Sequence, residues 1–454
     1  MTGRQKTALM NSPHLALVTT PPRKVDAVAL LSCYVFLLIA IPSSLVVGSL
    51  GAAGTPAAIF AVALFCLYLV GRQHPALALD RGHQPVRVAA VLFGCVFIAA
   101  YISANRAPMP ALQENGADRG LILLAGWLGA LVLAADGIDR TERLEALLRR
   151  IVLGVTAMAV LGFVEFFTRV NLAQYISIPG LTVHSQASDL MNRDGLVRVV
   201  ATAAQPLEFT AVLVMSLPLA IHQARFAPPA LRNRRWLQVA VIAITVPMTI
   251  SRTALFGLVI VCGVLFPTWP RRDRRRAYLI MLAAPVLVWL AKPSIVSNFG
   301  GLFGQLGSDP SSKSRTGAYS AAAPYIAHHP WFGQGFGTFF PQVYFFTDNQ
   351  YLLSLIETGI VGIVALVALL ATGWCTARSA RYAAAEEETR DLAQCLAAAV
   401  AAAAVCFATF DALSFSIAPG LCFLLLGCIG ATWRLARAQQ ATARPGTSAD
   451  WYRA

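Results

Sequence analysis

Apolar residues in this chain collect into long unbroken runs rather than alternating with polar ones. Twelve runs stand out, at about 27–47, 55–71, 87–103, 119–137, 150–168, 206–223, 236–251, 253–269, 277–291, 350–373, 392–410 and 414–433. Many approach the ~20 residues that a helix needs to cross a bilayer. Main-chain groups in lipid must be satisfied within their own segment, which predicts helices. A β-barrel would instead show segments of ~10 residues with alternating polarity. The pattern therefore predicts an all-α, polytopic helical membrane protein with about 12 transmembrane helices.

Composition agrees with the pattern. The chain is 57% hydrophobic and only 13% charged, against about 25% charged in soluble domains. Its net charge of +14 could suggest a nucleic-acid partner. Basic residues on cytoplasmic loops of a membrane protein explain the charge more simply, so no nucleic acid is expected. With the N-terminus inside, 27 of the 36 Lys and Arg fall on the cytoplasmic side and nine on the other. The densest cluster, PRRDRRR at residues 270–276, lies in a short loop, where this bias is most informative. Both termini are therefore expected to be cytoplasmic. The stretch from Met1 to Lys24 is polar and the first apolar run is long, so no cleavable signal peptide is expected. The organisation predicted is a tail over 1–26, a transmembrane domain over 27–434, and a polar, disordered tail over 435–454.

Two outer loops, about 169–205 and 292–349, interrupt the apolar pattern, and loops this long tend to be functional. The second contains Lys313, Arg315, His328 and His329, the glycines of GQGFG (Gly333, Gly335, Gly337), and Asp348. Thr316 to His329 predicts a short helix stopped by Pro330, so the loop forms a partly helical periplasmic or extracellular subdomain. Ahead of it, Ile295, Val296, Phe299, Leu302, Phe303 and Leu306 are spaced for a helix lying at the interface. The glycines lack the strand–helix setting and the lysine of a phosphate loop, and predict tight turning instead.

Three residues, Arg252 between two apolar runs and Arg315 and Asp348 in the second loop, have chemistry that could bind an anionic group or move a proton. Arg252, in TISRTALFG between two apolar runs, would lie at the membrane boundary, where it either snorkels or meets an anionic group. Arg315 either sits in solvent or helps bind phosphate, since a guanidinium can grip phosphate with two hydrogen bonds. Asp348, ahead of NQYLLSLIE, either caps that helix or takes a proton from a hydroxyl. Glu165, Glu357 and Asp411 are candidate proton-relay carboxylates, which would suit a transporter, but no internal repeat accompanies them. The nine cysteines lie in or beside apolar runs, with no metal-ligand or disulfide spacing. The adjacent histidines likewise lack a partner at ligand spacing, so no metal is expected.

The runs ISRTALFG, Ser314–Arg315, HHPWFGQGFGTF and DNQYLLSLIETGIVG occur in that order. With RVVATAAQPLEFTAVLVMSLPLA from Arg198, they resemble the O-antigen ligase and O-antigen polymerase superfamily of bacterial membrane glycosyltransferases. The similarity extends over roughly residues 196–375. It implies an enzyme of the inner membrane that takes a glycan from a polyprenyl diphosphate, usually undecaprenyl diphosphate, and passes it to a sugar hydroxyl at the outer face. It also implies that neither a metal nor any other cofactor is needed. On this resemblance Arg252 and Arg315 would hold the diphosphate and Asp348 would activate the acceptor. Arg198, His329 and Tyr351 would be further substrate contacts. Ligases of the family carry His before the Asn where this chain has Asp348–Asn349. That departure favours a polymerase of exopolysaccharide, capsule or O-antigen, possessing a glycan acceptor and a chain-length regulator as partners, over a ligase to lipid A core or protein. A lipid-linked glycan flippase is the more distant alternative.

Overall fold

The computed structural model describes residues 26–73, 79, 82–106, 108–183, 192–193, 196–291 and 310–442. Helices dominate, as the apolar runs predict. They are α1 (Ala27–Ala40), α2 (Pro56–Gln73), α3 (Pro85–Ala104), α4 (Ala111–Gly137), α5 (Thr141–Thr168), α6 (Pro206–Arg225) and α7 (Pro229–Met248). They continue as α8 (Arg252–Leu265), α9 (Arg271–Ala291), α10 (Pro310–His328), α11 (Gln350–Glu357), α12 (Gly359–Ala383), α13 (Glu387–Phe407) and α14 (Ile417–Thr442). Eight of these, α2 to α6 and α12 to α14, are long and apolar enough to cross a membrane. Helices α1 and α8 are apolar but shorter. Helices α7 and α9 begin in basic residues and become apolar only beyond them.

Burial separates an inner group of helices from an outer one. The apolar stretch of α14 is 94% buried and that of α6 83%, whereas α2 is only 28% buried. Helix α14 packs on α4, α12 and α13, while α13 also contacts α6 and α8. The outer faces of α2, α3 and α5 leave Leu69, Leu92 and Phe167 exposed, as lipid-facing helices do.

Two expectations change. Gln350 to Gly373 was expected to be one span, but the helix breaks at Thr358 into α11 and α12. The tail expected to be disordered from residue 435 continues α14 as far as Thr442. The interfacial helix expected over Ile295 to Leu306 lies outside the described residues.

The predicted subdomain is present between α9 and α12. Helix α10 ends at His328, two residues before Pro330. Ala318 and Ala322 of α10 pack with Phe339, Leu352, Leu353 and Ile356 into a small core of their own. Phe336 reaches further, into the main bundle, with its ring 4.9 Å from Phe97 and 6.0 Å from Trp127. Short strands β1 (Leu45–Val46) and β2 (Thr182–Val183) pair antiparallel and tie the first outer loop to the chain after α1. Strands β3 (Asn192–Arg193) and β4 (Leu196–Val197) form a second antiparallel pair.

The α11–α12 break is locked from outside. Pro330 and Trp331 carbonyls accept the Ile360 and Val361 amides, and Gly335 donates to the Glu357 carbonyl at 2.8 Å. Gly333, Gly335, Gly337 and Gly359 all have positive φ, the turning role expected for the GQGFG glycines. A Cβ on Gly359 would come within 2.3 Å of the Trp331 oxygen. Gly359→Ala should therefore cost at least about 2 kcal/mol of stability in thermal unfolding of the purified protein. Gly263→Ala is the control. No atom lies within 4 Å of a Cβ there, so a gain of about 0.5–1 kcal/mol is expected.

Candidate functional site

One end of the bundle gathers α1, α5, α7 and α13 C-termini with the N-termini of α6, α8, α11 and α14. Here buried carboxylates bind the main chain of loops. Glu165 of α5 accepts the Val200 and Ala201 amides at 3.2 and 2.8 Å. Glu208, in the first turn of α6, accepts Ala204 at 2.9 Å with one oxygen and Ile417 at 2.6 Å with the other. It thus caps the N-terminus of α14 from a neighbouring helix. Glu357, ending α11, accepts Phe339 at 3.1 Å and is also bonded by the Gly337 amide. Asp411, between α13 and α14, accepts the Thr347 hydroxyl and the Asn349 amide, the latter at 3.0 Å. The Asp348 amide also bonds to it. Glu165, Glu357 and Asp411 were candidate relay groups; their described hydrogen bonds make them anchors of loops.

Asp411 fixes the segment that carries Asp348. Asp348 is half-buried with φ +46, a left-handed backbone that Asp tolerates better than most residues. It is not the cap of the following helix. Asn349 fills that position, its side chain accepting Tyr351 and Leu352 amides at 2.9 and 3.4 Å. Gln350 continues the lock, donating its amide to the Phe410 carbonyl and accepting Leu413 at 2.7 Å. All four non-glycine residues of positive φ among those described, Arg169, Ala201, Ile250 and Asp348, lie at this end. Strained backbone of this kind collects at functional sites.

Arg252 opens α8, behind the Ser251 cap that accepts Thr253 at 3.2 Å. It is only 8% exposed, so it does not snorkel to the surface. The Thr253 hydroxyl donates to Thr409 at 2.8 Å, joining the start of α8 to the loop that holds Asp348. Arg198 donates from Nε to the Thr249 carbonyl at 3.1 Å, bracing the α7–α8 turn. These bonds bring Arg198, Arg252 and Asp348 to one end of the molecule.

The other expected residues are arranged less uniformly. Arg315 lies in the second turn of α10, with its side chain outside the described residues. His329 is exposed just after α10. The Tyr351 hydroxyl donates to the Ala404 carbonyl at 2.7 Å, while its ring lines a groove. That groove, about 450 Å³, runs between α10 and α11 and is walled by Tyr319, Ala323, Ile326, Leu352 and Leu355. At its rim Asn349 donates to the Tyr319 hydroxyl at 3.0 Å. Sequence reasoning missed Glu208 and the capping role of Asn349. An acid in the first turn after AAQP was the available signal for the former.

Residues 237–367 match the family model described as O-antigen ligase. No curated protein matches the chain. The matched region runs from α7 through α8, α9, α10 and α11 into α12, and so includes Arg252, Arg315, His329, Asp348 and Tyr351.

Burial pushes the Glu357 carboxyl up to about 8; the Phe339 and Gly337 amides hold it back and the Asp411 charge adds to the rise. Asp411 is also raised, first by burial and further by Asp348, while the Thr347 hydroxyl and the loop amides oppose the shift. A carboxyl of raised pKa holds its proton more tightly in the folded chain than in the unfolded one. Its contribution therefore favours folding at low pH and declines as pH rises from the ordinary 4.5 towards about 8. Thermal unfolding between those values should show falling stability in the native protein, and a shallower decline in Glu357→Gln.

Proposed function

We propose, taking as premise that the chain belongs to the O-antigen ligase and polymerase superfamily, that it polymerises a surface polysaccharide. The donor is a glycan on polyprenyl diphosphate, and the acceptor is a sugar hydroxyl of a second glycan. The products are free polyprenyl diphosphate and a longer exopolysaccharide, capsule or O-antigen chain. The protein is a multi-pass membrane protein. On the distribution of basic residues, the end bearing Asp348 and Arg252 faces outward from the inner membrane, with both termini cytoplasmic.

The observation that carries this reading is the placement, at the end of the bundle where α8 begins with Arg252, of Asp348. Its helix is capped by another residue, its main chain is fastened by Asp411, and its side chain is half-exposed. A carboxylate placed in this way, at the end of the bundle that also holds Arg252, can accept a proton from a hydroxyl. The acceptor hydroxyl passes its proton to Asp348 while its oxygen bonds to the anomeric carbon. The bond from that carbon to the diphosphate oxygen breaks, and the electron pair leaves with the diphosphate. Attack opposite the leaving group inverts the anomeric centre. Arg252 stabilises the charge that grows on the diphosphate, as preorganised cations do for departing anions. Arg315 is the second cation of the scheme. The apolar groove between α10 and α11 takes part of the lipid tail. Arg198 acts through the α7–α8 turn that it braces, Tyr351 through the groove wall, and His329 at the open rim.

The aspartate in the place where ligases of the family carry His favours the polymerase over the ligase. Incubating the purified protein with lipid-linked repeat units tests the reading. New long chains are expected; a flippase forms no glycosidic bond, and a ligase joins glycan only when lipid A core is added as acceptor, without longer free polymer. Asp348→Asn should slow chain growth by about 10²–10⁴-fold, the range for a lost general base. Arg252→Lys should lower it at least about tenfold, because a point charge cannot replace a planar fork. Asp348→Gly separates chemistry from backbone strain: it should equal or exceed the native stability, yet be as inactive as Asp348→Asn. Full activity in Asp348→Gly would remove the carboxylate from the mechanism.

A further inference from the structure

The opposite end of the bundle holds a cluster that the transfer reaction does not use. His222 lies in the last turn of α6, and Asp391 and Cys395 lie four residues apart on the facing side of α13. The His222 Nδ1 is 2.8 Å from Asp391 Oδ2, and Cys395 Sγ is 3.7 Å from the same oxygen. All three ligand atoms lie within 4.8 Å of one another, and all three residues are buried.

The geometry points to a divalent metal site of zinc type, formed by His222, Asp391 and Cys395. Zinc bonds of about 2.0–2.1 Å to nitrogen or oxygen and about 2.3 Å to sulfur, at tetrahedral angles, set N···O near 3.3 Å and S···O near 3.6 Å. The S···O separation already fits, the N···O separation must open by about half an ångström, and the sulfur and nitrogen, within 4.8 Å of each other, must settle near about 3.6 Å. Imidazole, carboxylate and thiolate together suit a borderline ion, whereas magnesium and calcium take oxygen ligands.

Two neighbouring features support the assignment. Arg225 donates to Asp391 Oδ1, which fixes the carboxylate and leaves Oδ2 turned to His222 and Cys395. Such outer contacts are what orient metal ligands. Arg225 is itself held, 3.7 Å from Asp273 and 5.2 Å above the Trp269 ring. His222 also forms part of the wall of a cavity of about 290 Å³ that contains Glu145, Arg149, Arg235 and Glu388. That cavity supplies an entry route and water for a fourth ligand. Without a metal, Arg225, His222 and the Cys395 thiol all converge on the one Asp391 carboxylate as hydrogen-bond partners; a metal makes ligands of the last two.

On loading, two protons leave the ligand atoms: the one on His222 Nδ1 that faces Asp391 moves to Nε2 or to solvent, and the thiol proton of Cys395 passes to solvent. The ion would clasp α6 to α13, the helices whose far ends carry Glu208 and lead to Asp411. Nothing in this assignment depends on the transfer reading.

Titrating the chelator-treated, full-length protein in detergent with Co²⁺ tests it. One equivalent should produce thiolate-to-cobalt charge-transfer absorption, and Zn²⁺ should abolish it by displacement. Cys395→Ser should lose the band, and Cys262→Ser should retain it. Absence of the band in the folded native protein, or its persistence in Cys395→Ser, would overturn the site.

Discussion

The loops at one end of this bundle depend on a single kind of bond, from a main-chain N–H to a buried carboxylate. Outside the short strand pairs, the loops at this end have no ladder partner for their amides, and a buried amide left unbonded costs about 1–3 kcal/mol. Glu165, Glu208, Glu357 and Asp411 each satisfy such amides from a helix or an adjoining turn. Each thereby fixes a loop to the bundle. Removing one would release several donors at once, so these acids tie the outer architecture to the helices far more firmly than surface ion pairs would.

That anchoring allows the strained backbone to persist. Ala201 and Asp348 have positive φ, and each has its amide bound by one of these acids. Ile250, a β-branched residue for which positive φ is a true outlier, precedes Arg252 by two residues. The α7–α8 turn there is braced by Arg198 at Thr249. The opposite end is held differently, by charge pairs between side chains. Asp136 is met by Arg87 at 2.7 Å and by the Tyr68 hydroxyl at 2.7 Å, and Asp391 by His222 and Arg225. The two ends of the protein therefore use their few buried acids for opposite purposes: main-chain control at one, helix-to-helix pairing at the other.

Much of this was legible in the chain. Runs of apolar residues revealed the helices because lipid leaves a segment no other way to bond its main chain. Pro330 marked the end of α10, and the glycines of GQGFG marked the turns, because both are local constraints. The break at Thr358 was hidden, since apolar residues continue across it; the cause is the approach of Trp331 to Gly359, a contact between segments. The roles of the acids were hidden for the same reason. Asp411 and the segment it binds are 62 to 64 residues apart, and Glu208 caps a helix 209 residues away. Spacing could offer Asp348 as a cap or a base, but only the position of Asn349 decides against the cap.

Arg252 and Asp348 reach the same end along separate routes, one through the turn after α7 and the other through the loop held by Asp411. The Thr253–Thr409 hydrogen bond joins those routes, and the groove beside α11 offers an apolar surface at the site's edge. The most direct measurement is a cryo-EM structure of the protein with a polyprenyl-diphosphate-linked glycan. The diphosphate should lie against Arg252, with the anomeric carbon facing Asp348 and isoprene units between α10 and α11. A diphosphate bound at the His222 end, or a donor sugar turned away from Asp348, would contradict the assignment.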